Sequence, residues 1–468
     1  MGTLGTAVIK PSITAGQFGV LFGAEDNTSG TAFTTSDQSG YAHVGYGRVG
    51  VGTAGTTIGG TAYGTANRND WGVVAPSARI LNLFPNSELT QISIRRGRTR
   101  PDQYDDVGEC TITVLNQTGS SDPDNNTGRY QRLSTPTIST AVPVGSATAV
   151  YTSWLQPGMY GQVCWANAAG SQIPLFTGVL EQVEPTDDRY STATYTFVDR
   201  LSQLGRATLV DGMKVGGAGD TGKARLNYIC QAARLYDIYN GNGGTNLVEQ
   251  IIDIQGFSKS VALSSMGDNA LDCIKTIVNG QAGRVFVDRS GVVRIWDRAR
   301  MAVVGTTMAG TFTDTPATVA GYGYDEIQSN QAQNFLYNSA LITVGTTVSA
   351  SAKLDLSIAQ YGERRVEAET ALSSSTEALN LATFLATNYA NPSKSVASIS
   401  LQALAFTNAD FAVLSQIDLQ QGVRVYRTLP GSRTLDVNCV VEGIEIDITP
   451  SSRRFTFYLS PRDTTTLS

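Results

Sequence analysis

The sequence holds a single histidine, His43, in 468 residues. One imidazole excludes His–His metal sites, an HExxH zinc protease and any chemistry needing several histidines from one chain. Charge is sparse as well. Only 16% of residues are Asp, Glu, Lys or Arg, against roughly 25% in an average soluble domain. The net charge of −6 and the pI near 5.0 are mildly acidic, so no phosphate-gripping face of the nucleic-acid-binding kind is expected. The densest basic stretch, Arg95-Arg96-Gly97-Arg98 with Arg100, reads as a subunit contact or a solvated loop. The five cysteines (Cys110, Cys164, Cys230, Cys273 and Cys439) form no CxxC pair and read as buried thiols of a protein made in a reducing cytoplasm. No apolar run reaches the ~18 residues of a membrane span, and the N-terminus lacks a signal-peptide layout. A soluble chain is expected.

Glycine is abundant, at 48 residues, and Thr and Ser recur throughout. That composition favours β-rich, turn-rich architecture over helical bundles. A prior of roughly 150 residues per domain suggests about three domains. Cores of that size need no disulfide or metal staple.

Four segments are distinguishable. Residues 1–80 include a tract of Gly, Thr, Ala and Val from Gly45 to Gly64 with no sustained period. Such a tract buries little apolar surface to offset its ordering entropy, so an extended arm is expected, ordered only against something else. Residues 81–214 read as a β domain: Ile92 and Ile94 share a strand face, and Cys110-Thr-Ile-Thr-Val-Leu alternates likewise. Further strands are expected at Gly161–Trp165, Leu175–Leu180 and Ala193–Val198. Residues 215–321 read as an α+β insert. Thr221 or Asp220 caps a helix carrying Leu226, Ile229, Ala233 and Tyr236. Asp268 opens a second helix with Leu271, Ile274, Ile277 and Val278 as its stripe, and Gly280 near its end. A hairpin then turns at Arg289-Ser290-Gly291. Residues 322–468 read as a second β domain, with a helix at about 374–389 whose contacts come from Leu379, Ala382, Phe384 and Leu385.

The two β segments share a template. Four residues separate Gly161 from Trp165, and four separate Gly422 from Tyr426. Seven separate Gly178 from Pro185, and seven separate Gly443 from Pro450. Tyr195-Thr-Phe-Val and Phe455-Thr-Phe-Tyr follow. The pattern reads as a three-strand meander in which a glycine sits where backbones crowd and a proline closes the middle strand. Two related β-barrel or sandwich domains are the favoured reading.

Motifs with chemical meaning fail on inspection. Gly217-Ala-Gly-Asp-Thr-Gly222-Lys223 has P-loop spacing, but Ala224 stands where magnesium needs a hydroxyl. Gly45-Tyr-Gly47-Arg-Val-Gly50 spells a dinucleotide fingerprint without the helix that must follow. Asp122-Pro-Asp124-Asn125-Asn126 resembles a calcium loop, yet Thr127 replaces the glycine and Leu133 the bidentate glutamate. Glu445 and Asp447 alternate with Ile444, Ile446 and Ile448, as on a solvated strand face, so they make a poor glycosidase pair. Glu181 with Glu184, and Glu363 with Glu367 and Glu369, make no better one. No catalytic, cofactor-binding or metal residues are expected, and no cofactor.

The run Gln91-Ile-Ser-Ile-Arg-Arg-Gly-Arg, with Gly108-Glu-Cys-Thr-Ile-Thr-Val-Leu-Asn116, resembles the opening of minor tail proteins of long-tailed bacteriophages, relatives of the baseplate-hub family. The resemblance continues through Pro174-Leu-Phe-Thr-Gly178-Val, Tyr195-Thr-Phe-Val-Asp-Arg-Leu-Ser-Gln-Leu, Val285-Phe-Val-Asp-Arg-Ser-Gly and Val441-Glu-Gly-Ile-Glu-Ile-Asp-Ile-Thr-Pro. It covers roughly residues 85–465 and leaves out the Gly-rich arm. It implies a structural ring at the tail tip of the virion, joining the tail tube to host-facing fibres or spike, with the tape measure protein as a further neighbour. Some hubs carry a peptidoglycan hydrolase domain after this module. The chain stops just past the second β domain, so none is expected. Taken with the sixfold tail tube that the resemblance implies, the paired domains suggested by the matched spacings give the expectation of a homotrimer presenting six similar units around a channel through which DNA passes without being held.

Two other function classes compete. A receptor- or carbohydrate-binding tail protein would expose aromatics, but Trp165, Trp296 and Tyr426 lie in expected strands, as core residues do; Trp71 and Trp154 are less clearly placed. A tail-associated glycan hydrolase would need a carboxylate pair.

Overall fold

The computed structural model describes mainly residues 89–99, 104–117, 160–166, 172–186, 191–209, 220–233, 247–259, 269–330, 336–344, 348–390, 395–402, 408–430 and 433–461, with short strands before residue 89. His43, Trp71, Trp154, Arg100, Tyr236, Asp268, the Gly45–Gly50 motif and the Asp122–Asn126 turn lie outside the described residues, as does most of the 1–80 arm. The protein is mainly β, as its composition suggested. It divides into two compact units. The first comprises residues 1–93, 109–198 and 237–250, the second residues 94–108, 199–236 and 251–468.

The first unit is a barrel of antiparallel strands. Glu109–Leu115 pairs with Thr192–Val198, which pairs with Gln172–Thr186, and that strand pairs with Tyr160–Ala166. Phe18–Gly23 follows, antiparallel to Tyr160–Ala166 on one side and to Ile80–Asn82 on the other. At the other side of the series Glu109–Leu115 neighbours Leu89–Gly97, the next strand in the chain after Ile80–Asn82. One stave is therefore built from two consecutive pieces. Period-two patterning places the core: Ile92, Cys110, Ile112, Val114, Ala193, Tyr195 and Phe197 are buried while their sequence neighbours are less so. Trp165, with no exposed surface, lies in the same core.

The second unit holds another barrel. Met308–Thr313 pairs with Gly422–Leu429, which pairs with Arg433–Thr449, then Ser452–Pro461, then Ser395–Gln402, then Glu326–Asn330. Tyr322–Gly323, just before Glu326–Asn330 in the chain, pairs back onto Met308–Thr313 and closes the ring. Closure leaves no open edge within the ring. Its interior is aromatic: Phe455 and Phe457 stack at 6.0 Å, and Phe312 and Phe411 pack against them.

The two barrels follow one connectivity. In chain order their strands are Phe18–Gly23, the split stave, Glu109–Leu115 and the meander in the first; Met308–Thr313, the split stave, Ser395–Gln402 and the meander in the second. The opening strand differs. Phe18–Gly23 is antiparallel to both neighbours, whereas Met308–Thr313 is parallel to both.

Two small α+β layers complete the second unit. In one, Ile252–Gln255 runs parallel to Val293–Trp296, which pairs with Arg284–Val287 across the tight turn at Gly291 (φ +84°). Helix Ala270–Asn279 packs beside these strands with Leu271, Ile274, Ile277 and Val278 buried. Asn269, not Asp268, is its N-cap, with its carboxamide oxygen accepting from Leu271 N and Asp272 N. In the other, Ser339–Val344 lies between Val348–Lys353 and Arg365–Thr370. Helix Ser375–Asn388 covers this sheet through Ala378, Leu381, Ala382 and Phe384. Leu379, expected among the contacts, is 46% exposed instead. Short-range apolar letters do not fix the face when a helix is contacted on one side only. Asn338, fully buried, ties this layer together: its side chain donates to Ser357 Oγ and Gly362 O and accepts from Arg364 N. Among the described residues no helix is long and apolar enough to cross a membrane.

Candidate functional site

The chemically dense region is a buried charge network in the second unit. It begins with two glycines. Gly97 has φ +77°, and a Cβ there would lie 2.4 Å from Glu442 O. Gly443 would place a Cβ 2.4 Å from Arg98 O. Bare Cα atoms at both places let the segment after Gly97 approach strand Arg433–Thr449 closely, and Arg98 N donates to Glu442 O at 3.1 Å. The register of Arg433–Thr449 on Ser452–Pro461 skips Glu442, between Val441 and Gly443. The bulge places Glu442 in the interior, where it is 5% exposed.

Every oxygen of Glu442 is used. Oε2 accepts from Arg98 Nε at 2.8 Å and Arg284 Nη1 at 2.7 Å, and Oε1 accepts from Ser460 Oγ at 2.5 Å. Arg284 Nη2 reaches Glu442 O at 2.6 Å, and the same guanidinium grips Asp105 through Nε at 2.5 Å and through Nη2. Burial alone pushes the Glu442 carboxyl up, but the Arg98 and Arg284 charges outweigh it and hold it down at about 2. The fork geometry of arginine suits this bidentate pairing.

A second chain of charges runs alongside. Arg96, 3% exposed, donates to Asp418 Oδ1 at 2.7 Å, and Asp418 Oδ2 accepts from Arg289 N at 3.0 Å. Arg294 bridges Asp288 and Asp253, both at 2.7 Å, and Trp296 Nε1 donates to Asp253 at 2.9 Å. Burial, then the Asp418 charge, pushes Asp288 up despite Arg294. Asp253 is also pushed up by burial but is held below its ordinary value by donors from Gln255, Trp296 and Arg294.

Asp199 forms a third node. It caps helix Arg200–Arg206, accepting from Leu201 N at 2.9 Å and from Gly108 N at 2.8 Å, while its own N–H donates to Gly108 O. Burial pushes its carboxyl up to about 7, the two backbone donors offsetting part of that shift. Arg200, also buried, reaches Gly291 O at 2.6 Å.

This arrangement is a lock. Its carboxylates are engaged by fixed guanidinium and backbone donors, which suits holding segments in register. Removing one member of such a pair exposes the cost of the other's burial, about 3–5 kcal/mol.

The residues singled out in the sequence fall differently. Arg96 and Arg98 do not lie in a solvated loop: both are spent on ion pairs within the unit, with Asp418 and Glu442. Arg95 is half-exposed, near Asp106 and Glu445. Glu445 and Asp447 point away from the buried Ile444, Ile446 and Ile448, and Glu445 accepts from Tyr458 OH at 2.9 Å. Glu181 is half-buried and Glu184, exposed, accepts from Gln182. Glu363 and Glu367 are exposed and paired with Lys353 and Arg365, and Glu369 is exposed as well. At the P-loop-like motif, the N–H groups of Gly222, Lys223 and Ala224 donate to Lys259 O, Phe257 O and Thr221 Oγ1, so the helix start is already capped. Among the described residues, no group of three or more His, Cys, Asp or Glu is arranged to hold a metal. All five cysteines are buried thiols, and burial pushes those of Cys110, Cys164, Cys230 and Cys439 up, away from reactivity.

Asp105, Arg284 and Glu442 escaped the sequence reading. One signal was present: Glu442 interrupts the apolar run Cys439-Val-Val-Glu-Gly-Ile beside a glycine. Nothing local marks its arginine partners, which lie 158 and 344 residues away.

The barrels and α+β layers make a fold similar to that of solved phage tail proteins. Two solved structures carry the likeness. One is the 43 kDa tail protein of prophage MuSo2 from Shewanella oneidensis, at TM-score 0.50 and 11% identity, covering 84% of this chain and 98% of that one. The other is the tail protein from Neisseria meningitidis MC58, at TM-score 0.50 and 8% identity, covering 79% of this chain and 91% of that one. No protein-family model matches the sequence, and no curated protein does.

Proposed function

We propose that this protein is a structural component of a phage tail, forming a hub ring at the tail tip of the virion. Three copies would bring six barrels into one ring and match a sixfold tube to a threefold tip. The observation that carries this reading is the repetition of one six-strand connectivity within a single chain. The fold likeness to two tail proteins supports it. Head-to-tail closure of three copies uses complementary flanks on each barrel. The ring would join tube proteins on one side to fibre or spike proteins on the other, with the tape measure protein near its axis. The mildly acidic chain suits a channel wall that DNA passes without sticking. In this reading the four segments act as an assembly arm (1–80), a first barrel (81–214), an α+β insert (215–321) and a second barrel (322–468). No enzymatic step is assigned.

Native mass measurement of the full chain tests the copy number, with three expected. A density map of the tail should then show threefold copies, each supplying two barrels. A single copy per tail would sink the proposal. Cell-wall zymography and glycan arrays should both be silent. Trp165 and Trp296 are buried and offer no stacking platform for a sugar.

A further inference from the structure

The opening strands of the two barrels are tethered very differently. In the second barrel, Met308–Thr313 is joined to its split stave by residues 314–321, eight in all. Eight residues reach at most about 28 Å fully extended, so this strand must enter the barrel of its own chain. In the first barrel, Phe18–Gly23 is separated from Ile80–Asn82 by residues 24–79, 56 in all.

The register makes that length surplus. Gly23 lies directly opposite Ile80, and Leu21 opposite Asn82. Antiparallel strand ends so placed are ordinarily closed by a turn of two to five residues. The intervening segment carries the Gly/Thr/Ala/Val tract from Gly45 to Gly64. Fully extended, 56 residues could reach at most about 190 Å. That limit is well beyond the width of a barrel-sized domain, so a slot in an adjacent copy is within reach of this strand, whereas the eight-residue link of the second barrel confines its strand to the slot at home.

We propose that Phe18–Gly23 is an exchanged strand: in the assembled ring it fills the place between Tyr160–Ala166 and Ile80–Asn82 of a neighbouring copy. The occupant of each first barrel is then a second copy of this chain. The same rungs form in either arrangement, Phe18 on Trp165, Val20 on Val163, Phe22 on Gly161. Exchange therefore costs no pairing and links the copies mechanically.

The inference rests on the ring reading above, since it needs more than one copy. Two full-length forms, one with Val20→Cys and a tag, the other with Val163→Cys, are co-expressed, assembled and mildly oxidised. The expected result is a disulfide-linked product of two chains, absent when either form is assembled alone and lost on reduction. Leu21→Cys with Gln162→Cys, the next rung, is the second pair should the first disturb folding. A trimer whose mixed forms give no interchain product, while the doubly substituted chain cross-links within itself, overturns the exchange and leaves the ring standing. A monomer by mass overturns both.

Discussion

The two meanders carry the same letters but use them differently. In the first barrel Gly161 faces Gly178 across the ladder. In the second, Gly422 faces Val440, and Gly443 faces Tyr458 beyond the bulge. The matched glycines therefore occupy different rungs. Three of the four are nonetheless where backbones crowd: a Cβ on Gly178 would meet Val198 O at 2.4 Å, one on Gly422 would meet Gly305 O at 2.3 Å, and one on Gly443 would meet Arg98 O at 2.4 Å, whereas Gly161 makes room for the Phe197 ring. What the barrels share is the bulge, which falls on a glutamate in both, Glu181 between Leu180 and Gln182 and Glu442 between Val441 and Gly443. One glutamate stays half-buried, while the other is drawn into a buried network. Connectivity is thus the repeated feature, while the charge lock is built on Glu442 of the second barrel.

The sharpest way to break this contrast is to remove both glutamates in turn. Glu442→Ala leaves Arg98 and Arg284 without their shared acceptor and should cost about 3–5 kcal/mol; Glu181→Ala should cost about 1 kcal/mol or less. Denaturant unfolding followed by tryptophan fluorescence measures both, and equal losses would erase the distinction. Next come the crowded glycines. Gly97→Ala forces a side chain into the left-handed region against Glu442 O and should cost about 1–3 kcal/mol for the backbone alone. Gly178→Ala, without positive φ, tests whether crowding by itself is as costly.

The pH response separates two nodes of the second unit. Glu442 is held at about 2, below its ordinary 4.5, so its stabilisation is complete above 4.5 and fades as pH falls toward 2. Asp199 is pushed up to about 7 from 3.8. Here the folded state binds the extra proton, so this contribution is complete below about 3.8 and is lost as pH rises through 7. Stability should thus rise between pH 2 and 4.5 and sag between 4 and 7. Asp199→Asn should remove the sag and keep the acid limb; a sag that persists in this variant would falsify the assignment. The smallest effect is expected at Arg424 and Asp436, an exposed pair on the hairpin of the second meander. Arg424→Ala should leave the unfolding midpoint unchanged at moderate salt, because exposed pairs are screened.

Much of this fold was legible along the chain. Ile92 and Ile94, the alternation at Cys110–Val114 and the stripe Leu271–Val278 announced their elements because the pattern of burial is local and periodic. The hairpin at Gly291 and the cap at Thr221 were marked by the residue types such turns require. Met308–Thr313 was invisible as a barrel strand: its Met-Ala-Gly-Thr-Phe-Thr sequence has little alternation, and its partner Gly422–Leu429 is over a hundred residues away. The sheet Ser339–Thr370 was hidden for the same reason, its parallel pair having no turn between partners.

By itself, then, the sequence determined the β-rich class, most element positions and the repeated meander, because composition and short periods govern local structure. Only the tertiary structure decided ring closure, the direction of each opening strand and the partners of Glu442. Those depend on which distant segments meet, and a carboxylate beside a glycine reads the same along the chain whether it ends in water or between two arginines.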